Sequence, residues 1–131
     1  MATSPEVITS LGQHQVFVFG SNLSGLHLGG AARQALKWGA INGKHNGHYG
    51  QTYAIPTVGH NARGTLSPAE IIPFVNEFIK YASNHPELEF LVTEIGCGIA
   101  GLTHEEVAPL FTKAKEQANI LLPNRFVNSI S

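Results

Sequence analysis

Strand-like and helix-like segments alternate along the chain, and few folds accommodate that order. The strand-like runs are short and rich in β-branched and aromatic residues, whereas the helix-like runs repeat apolar residues every three or four positions. The predicted strands cover residues 15–19, 51–55, 88–95 and 119–123, and the predicted helices cover residues 30–38, 68–83 and 104 to about 117. This order predicts a single α/β domain over residues 1–131, built as a three-layer α/β/α sandwich around a mixed, mostly parallel sheet.

Two of the predicted helices begin with the same capping pattern. Ser67 with Glu70, and Thr103 with Glu106, place a hydroxyl and a glutamate three residues apart at the helix start. In such a capping box each side chain satisfies a backbone N–H of the first turn. Both helices also contain an interior proline, which predicts a bend or loosened turns. The buried stripe predicted for the first of them is Ile71, Ile72, Val75, Phe78, Ile79 and Ala82.

Two segments lack a clear period. Residues 40–50 are rich in glycine and asparagine, which predicts a loop, and residues 124–131 are expected to form an edge strand or a tail. No repeat, low-complexity tract or linker is evident, which agrees with one domain.

The composition excludes several classes of function. Eight basic residues against nine acidic ones give a net charge of −1, so no duplex nucleic acid and no acidic membrane is expected as a partner. All nine acids are glutamates, which removes mechanisms that need an aspartate dyad or an aspartate-rich calcium loop. The single cysteine, Cys97, excludes an internal disulfide and suits a reducing compartment. With no membrane-length apolar run and no signal-peptide pattern, the protein is expected to be cytoplasmic.

Two glycine-rich loops follow predicted strands, one at residues 20–32 and one at residues 96–101. Ligands of open α/β sheets bind beyond the carboxyl ends of the strands, and successive backbone N–H groups there can cradle an anion. A phosphate or diphosphate could then bind without lysine or arginine. The alternative is that the glycines only form turns. The predicted ligand-binding residues are Gly20, Ser21, Asn22, Gly29, Gly30, Ala31, Gly96, Cys97, Gly98, Ile99, Ala100 and Gly101.

Four side chains at this predicted edge have chemistry of their own. Asn22 could contact ribose hydroxyls or an attacking water, or only form a turn. His27 could move a proton or lie on the surface, and Glu94 could act as a general base or face solvent. Cys97 could be a nucleophile activated near a helix start, or a small residue in a tight turn.

No metal and no cofactor are expected. The histidines of the central loops have neither the helical spacing nor the neighbouring acids of a metal site. These histidines are His45, His48 and His60.

Read together, these residues resemble the macro-domain superfamily of ADP-ribose-binding modules and ADP-ribose hydrolases. The similarity lies in four places between residues 16 and 112, and it is strongest to a small group of uncharacterised bacterial and phage proteins of this layout. The matching segments are Gly20-Ser21-Asn22, His27-Leu28-Gly29-Gly30-Ala31-Ala32, Tyr53-Ala54-Ile55-Pro56-Thr57-Val58-Gly59, and Glu94 to Leu102 with Glu105-Glu106-Val107-Ala108.

The resemblance implies binding of ADP-ribose or a related nucleotide diphosphate at the carboxyl edge of the sheet. Asn22 would meet the distal ribose, and both glycine loops would wrap the diphosphate. The family's adenine-binding aspartate has no counterpart here, and Glu6 is the candidate to replace it.

Hydrolysis of an ADP-ribosyl linkage is the catalytic version, with Asn22 positioning substrate and water and Glu94 or His27 handling protons. A non-catalytic module of phage origin is the alternative. It would sequester a nucleotide signal or bind a protein partner through residues 40–50 and 59–66. A thiol-dependent enzyme using Cys97 is a third possibility.

Overall fold

A five-stranded mixed sheet forms the centre of the computed structural model, which describes residues 3–25, 27, 29–59, 64–98 and 100–130. The strands are β1 (Gln15–Asn22), β2 (Gly47–Tyr49), β3 (Thr52–Val58), β4 (Glu89–Val92) and β5 (Ile120–Leu121). Their order across the sheet is β2-β3-β1-β4-β5. Neighbours from β3 to β5 run parallel, and β2 pairs antiparallel with β3. The predicted α/β class and mostly parallel sheet are confirmed.

Helices lie on both faces of this sheet, in an arrangement consistent with three layers. Among the described residues the α-helices are α1 (Gly30–Ala35), α2 (Pro68–Ser83), α3 (His104–Val107) and α4 (Asn124–Ile130). Two 3-10 helices follow α1 and α3 directly, at Leu36–Trp38 and Ala108–Glu116. In this part of the chain no helix combines the length and apolar character needed to span a membrane.

Alternate residues of β1 separate the two halves of the core, because successive side chains of a strand point to opposite faces. Val16 and Val18 join the larger apolar cluster with α2, the second 3-10 helix and α4. Phe17 and Phe19 join the smaller cluster with α1, where the rings of Phe17 and Trp38 are 4.9 Å apart. The central strand is therefore buried on both faces, which explains its continuous apolar sequence.

The capping predictions are confirmed. Ser67 Oγ accepts from the N–H of Glu70 at 3.2 Å, and Thr103 Oγ1 accepts from that of Glu106 at 3.1 Å, with the glutamates reciprocating. The predicted stripe of α2 is buried except at Ile72, which is 37% exposed. Ile72 lies beside the buried face of α2 rather than on it, so its predicted burial is wrong.

Both long strands extend beyond the expected boundaries. β1 continues to Asn22 because Gly20 still pairs with Ile55, and β3 runs through Pro56 to Val58. The glycine and the proline do not stop the strands, since parallel pairing of two central strands outweighs their local preference. By contrast, β4 ends at Val92, and residues 93–95 leave the sheet.

Three other segments differ from the expectation. Residues 40–50 contain the short strand β2, which pairs with the buried strand β3. Residues 124–130 form α4 rather than an edge strand or tail, because Phe126 and its neighbours pack into the larger cluster. The third predicted helix is α-helical for one turn only and continues as the 3-10 helix with Pro109 in its first turn. A proline lacks the N–H that a continuing α-helix would use.

Candidate functional site

A cleft of about 380 Å³ opens beyond the carboxyl ends of β1 and β3, and both glycine loops line it. Its described lining residues are Gly20, Ser21, Asn22, Gly29, Gly30, Ala31, Ala32, Thr57, Val58, Thr93, Glu94, Ile95, Gly96, Gly98 and Ala100. The structure thus brings together the two loops, which are about seventy residues apart in sequence. Of the predicted binding residues, Cys97 and Gly101 are not among the lining, and Ile99 lies outside the described residues.

The two loops meet at their roots because Gly20 has no side chain. A Cβ built on Gly20 would lie 3.1 Å from Thr57 Oγ1 and 3.5 Å from the backbone nitrogen of Gly96. The distance to Thr57 Oγ1 is shorter than an ordinary contact, so a larger residue would require Thr57 to move. The close approach of the loops therefore depends on glycine at this position.

A register shift places Asn22 on the cleft. The pairing of β1 with β3 changes between Ser21, opposite Pro56, and Asn22, opposite Val58. A bulge of this kind redirects the side chains at the end of a strand. Ser21 is buried and its hydroxyl donates to the carbonyl of His45 at 2.5 Å, so it ties β1 to the loop before β2. The hydroxyl of Ser21 is therefore committed to the fold, and Ser21 lines the cleft beside Asn22.

Described residues with unpaired backbone N–H groups line both sides of the cleft. The first hydrogen bond of α1 runs from the N–H of Arg33 to the carbonyl of Gly29, so helix geometry leaves the N–H groups of residues 30–32 without acceptors in α1. Across the cleft, the N–H groups of Gly98 and Ala100 donate to no other described residue. Because α1 has six residues and α3 only four, local N–H groups matter here more than helix dipoles.

His27 lies away from the cleft. Its side chain is 2% exposed, its Nε2 donates to the carbonyl of Ile41 at 3.0 Å, and its ring meets Phe19 edge-on at 5.2 Å. The backbone N–H of His27 donates to Asn42 Oδ1 at 2.8 Å. These contacts hold the first glycine loop against residues 41–42, which favours a structural role, and the burial of His27 contradicts the expected surface alternative.

Glu94 is the one ionisable side chain among the described residues of the cleft lining. Its Oε1 lies 3.3 Å from His104 Nε2 in α3 and 3.6 Å from Arg125 Nη1 in α4. Sequence reasoning missed both partners. His104 directly follows a helix cap and was assigned no role, and Arg125 belongs to a helix that was not predicted.

The Cys97 thiol is not activated. It is half-buried, and burial raises its pKa to about 11, with the charges of Glu94, Glu105 and Glu106 acting in the same direction. A thiol with this pKa is almost entirely protonated at neutral pH. Cys97 therefore fits the interpretation as a small turn residue better than that of a nucleophile.

A second cavity of about 350 Å³ adjoins the cleft. The two share Ala31, Thr93 and Glu94. Its other described lining residues are Ser4, Pro5, Glu6, Val7, Ile8, Thr9, Phe17, Gln34, Val92 and Pro123. Apart from Glu6, sequence reasoning assigned no role to these residues.

The amino-terminal segment forms one wall of the second cavity because two hydrogen bonds hold it in place. The Ser4 hydroxyl donates to the carbonyl of Val92 at 2.7 Å. Gln34 Nε2 in α1 donates to the carbonyl of Ile8 at 2.5 Å. The segment between these points carries Glu6 along the cavity.

The structure describes two of the three loop histidines, His45 and His48. In the described part of the chain, no group of three or more histidine, cysteine or glutamate side chains is placed to hold one. His48 contacts the Tyr81 hydroxyl, and His60 lies outside the described residues.

Comparisons with known proteins give no further guide to this site. No protein-family model, no curated protein and no solved structure matches the chain.

Proposed function

We propose that the protein binds ADP-ribose or a related nucleotide diphosphate at the carboxyl edge of its sheet, as a macro-domain-like module. One observation carries the proposal: glycine loops from distant parts of the sequence line one cleft, and this cleft shares three lining residues with a second cavity. A ligand with an anionic middle and a less polar end fits this pair of cavities.

The diphosphate is assigned to the first cleft. N–H groups from residues 30–32 on one side and from Gly98 and Ala100 on the other are the donors. Glycine backbones allow a phosphate to approach these groups closely. The described lining contains no lysine or arginine, so recognition rests on the main chain.

The nucleoside is assigned to the second cavity. Each cavity falls within the range of about 300–1,000 Å³ that is usual for small-ligand sites. Phe17, Ile8 and Val92 provide apolar walls for a planar base. Glu6 is the acid available to accept a hydrogen bond from an exocyclic amine.

The site favours binding over hydrolysis. Oε1 of Glu94 faces His104 and Arg125, so only Oε2 could serve as a general base. The pKa of Cys97 is raised and His27 is buried elsewhere. Asn22 remains the side chain with which a catalytic version would be tested.

Calorimetry with purified protein tests the proposal. We expect ADP-ribose and ADP to bind and adenosine to bind far more weakly, because adenosine lacks the diphosphate. Absence of heat with both phosphates at millimolar concentration would refute nucleotide diphosphate binding. A thermal shift panel of nucleotides that leaves the melting temperature flat would favour a protein partner instead.

The hydrolase version has a separate test. Wild type and Asn22→Ala are compared on an ADP-ribosylated peptide, and release of ADP-ribose is followed by chromatography. Release that depends on Asn22 would establish catalysis. Equal rates for the two proteins would remove Asn22 from any mechanism.

A further inference from the structure

The geometry points to Glu94 as the residue that selects the sugar. We propose that its carboxylate accepts hydrogen bonds from the 2′,3′-diol of the ribose between base and diphosphate. The protein would then prefer an unmodified ribonucleotide over its 2′-deoxy and 2′-phosphorylated forms. This inference rests on the proposed function and adds a specificity to it.

The position of Glu94 is the first argument. The cleft and the second cavity share only Ala31, Thr93 and Glu94 among the described residues. A nucleotide with its diphosphate in one cavity and its base in the other must place the intervening sugar beside these three residues. Thr93 Oγ1 already donates to the carbonyl of Val18 at 2.8 Å, and Ala31 has no polar side chain. Glu94 is therefore the side chain suited to contact the sugar hydroxyls.

The second argument is how the carboxylate is held. His104 Nε2 and Arg125 Nη1 approach the same oxygen, Oε1, at 3.3 and 3.6 Å. No hydrogen bond or ion pair joins a described residue to the other oxygen, Oε2. A carboxylate accepts hydrogen bonds and donates none, and an acid placed near a ribose is a recurrent way to recognise its hydroxyls. Both basic groups approach Oε1, which leaves Oε2 as the oxygen for a ligand hydroxyl.

The third argument is charge. A carboxylate in a diphosphate site repels the ligand unless something compensates. The basic side chains of His104 and Arg125 lie next to Glu94. Hydroxyl donors on the sugar would provide the remaining compensation of the carboxylate charge. A 2′-phosphate would instead bring a second anion to the same carboxylate. The selection therefore has an attractive part and a repulsive part.

The experiment is calorimetry with ADP-ribose, its analogue lacking the adenosine 2′-hydroxyl, and 2′-phospho-ADP-ribose. Wild type is compared with Glu94→Gln and with Glu105→Gln, which makes the same charge change at an exposed site in α3. We expect wild type and Glu105→Gln to bind ADP-ribose at least about tenfold more tightly than either analogue, since a hydrogen bond to a charged group is lost. In Glu94→Gln both ratios should fall below about threefold, with 2′-phospho-ADP-ribose bound more tightly than by wild type.

The outcomes separate this inference from the proposed function. If wild type binds all three ligands equally, or if Glu94→Gln keeps both ratios, Glu94 does not select the sugar although nucleotide binding stands. If wild type binds none of them at millimolar concentration, both proposals fail. The wild-type ratios do not depend on whether a variant folds, and a gain in affinity for the 2′-phosphate cannot arise from misfolding.

Discussion

Val107 packs directly over Gly96, so that a Cβ at Gly96 would lie 3.2 Å from Val107 Cγ2. Gly96 also has a φ of +77°, a conformation that other residues adopt only at a cost. The start of the second glycine loop is thus fixed by the helix that follows it. This relationship fixes the backbone of Gly96, which lines the cleft.

Gly96→Ala should destabilise the protein. The strained φ and the contacts with Val107 and Leu102 act together, and we expect a loss of about 1–3 kcal/mol in the free energy of unfolding. Urea denaturation followed by circular dichroism measures it. An unchanged midpoint would mean that the loop relaxes without cost.

Gly98→Ala should leave stability intact and weaken ligand binding. A Cβ at Gly98 meets no atom within 4 Å, and its φ is outside the left-handed region, so we expect a stability change within about 0.5 kcal/mol. Because Gly98 lines the cleft, the added methyl group should obstruct a phosphate and lower the affinity for ADP-ribose by about tenfold. Calorimetric titration of Gly98→Ala and Gly96→Ala side by side separates the loss of affinity from the loss of stability. Unaltered affinity in a folded Gly98→Ala protein would exclude a phosphate at this backbone.

His27→Ala should act on stability. The substitution removes the hydrogen bond to Ile41 and the ring contact with Phe19 from a site that is 2% exposed. Loss of a buried ring and its hydrogen bond predicts a cost of about 2–4 kcal/mol. Chemical denaturation measures it, with substitution of the exposed His14 as the control. A His27→Ala protein as stable as wild type would contradict the structural role.

The order of the parallel strands and of α1, α2 and α3, and the starts of α2 and α3, were predictable because they depend on local signals. The capping boxes at Ser67 and Thr103 and the apolar run of β1 each specify a structure within a few residues. The meeting of the two glycine loops also followed from topology, since parallel strands bring their carboxyl ends to one edge. These inferences needed no knowledge of distant contacts.

The missed features depend on residues far apart in sequence. β2 has three residues and exists through its pairing with β3, and α4 is stabilised by burial of Phe126. The pairing of Glu94 with His104 and Arg125 joins three segments that only the folded chain brings together. Local propensity cannot predict such elements, because tertiary packing decides them.

Cys97 should react slowly with alkylating reagents at neutral pH. Burial and the nearby glutamates raise its thiol pKa to about 11, and only the thiolate is a strong nucleophile. We expect the rate with iodoacetamide at pH 7.5 to be at least about tenfold below that of a free cysteine peptide and to increase up to about pH 11. Mass spectrometry over time measures it, with the peptide as reference. Rapid modification at pH 7 would support the alternative of a thiol-dependent enzyme that uses Cys97.

Acid should destabilise the protein through His48. Burial lowers the pKa of His48 below its usual value and the charge of His85 lowers it further, although a hydrogen bond with the backbone of Gly50 acts in the opposite direction. The unfolded chain therefore binds more protons at this histidine than the folded protein does, so stability is full above about pH 6.5 and declines as the pH falls below it. His48 also contacts the Tyr81 hydroxyl, against which a protonated ring would have to rearrange.

We accordingly expect a lower melting temperature at pH 5.5 than at pH 7.5, with a smaller difference in His48→Gln. Differential scanning calorimetry at the two pH values measures it. Glu87 does not account for this window, because its pKa is lowered by a hydrogen bond with His85 and it titrates at more acidic pH. Substituting the exposed His14 with glutamine is the matched control and should leave the wild-type difference in place. A difference that survives in His48→Gln would assign the acid sensitivity to another group.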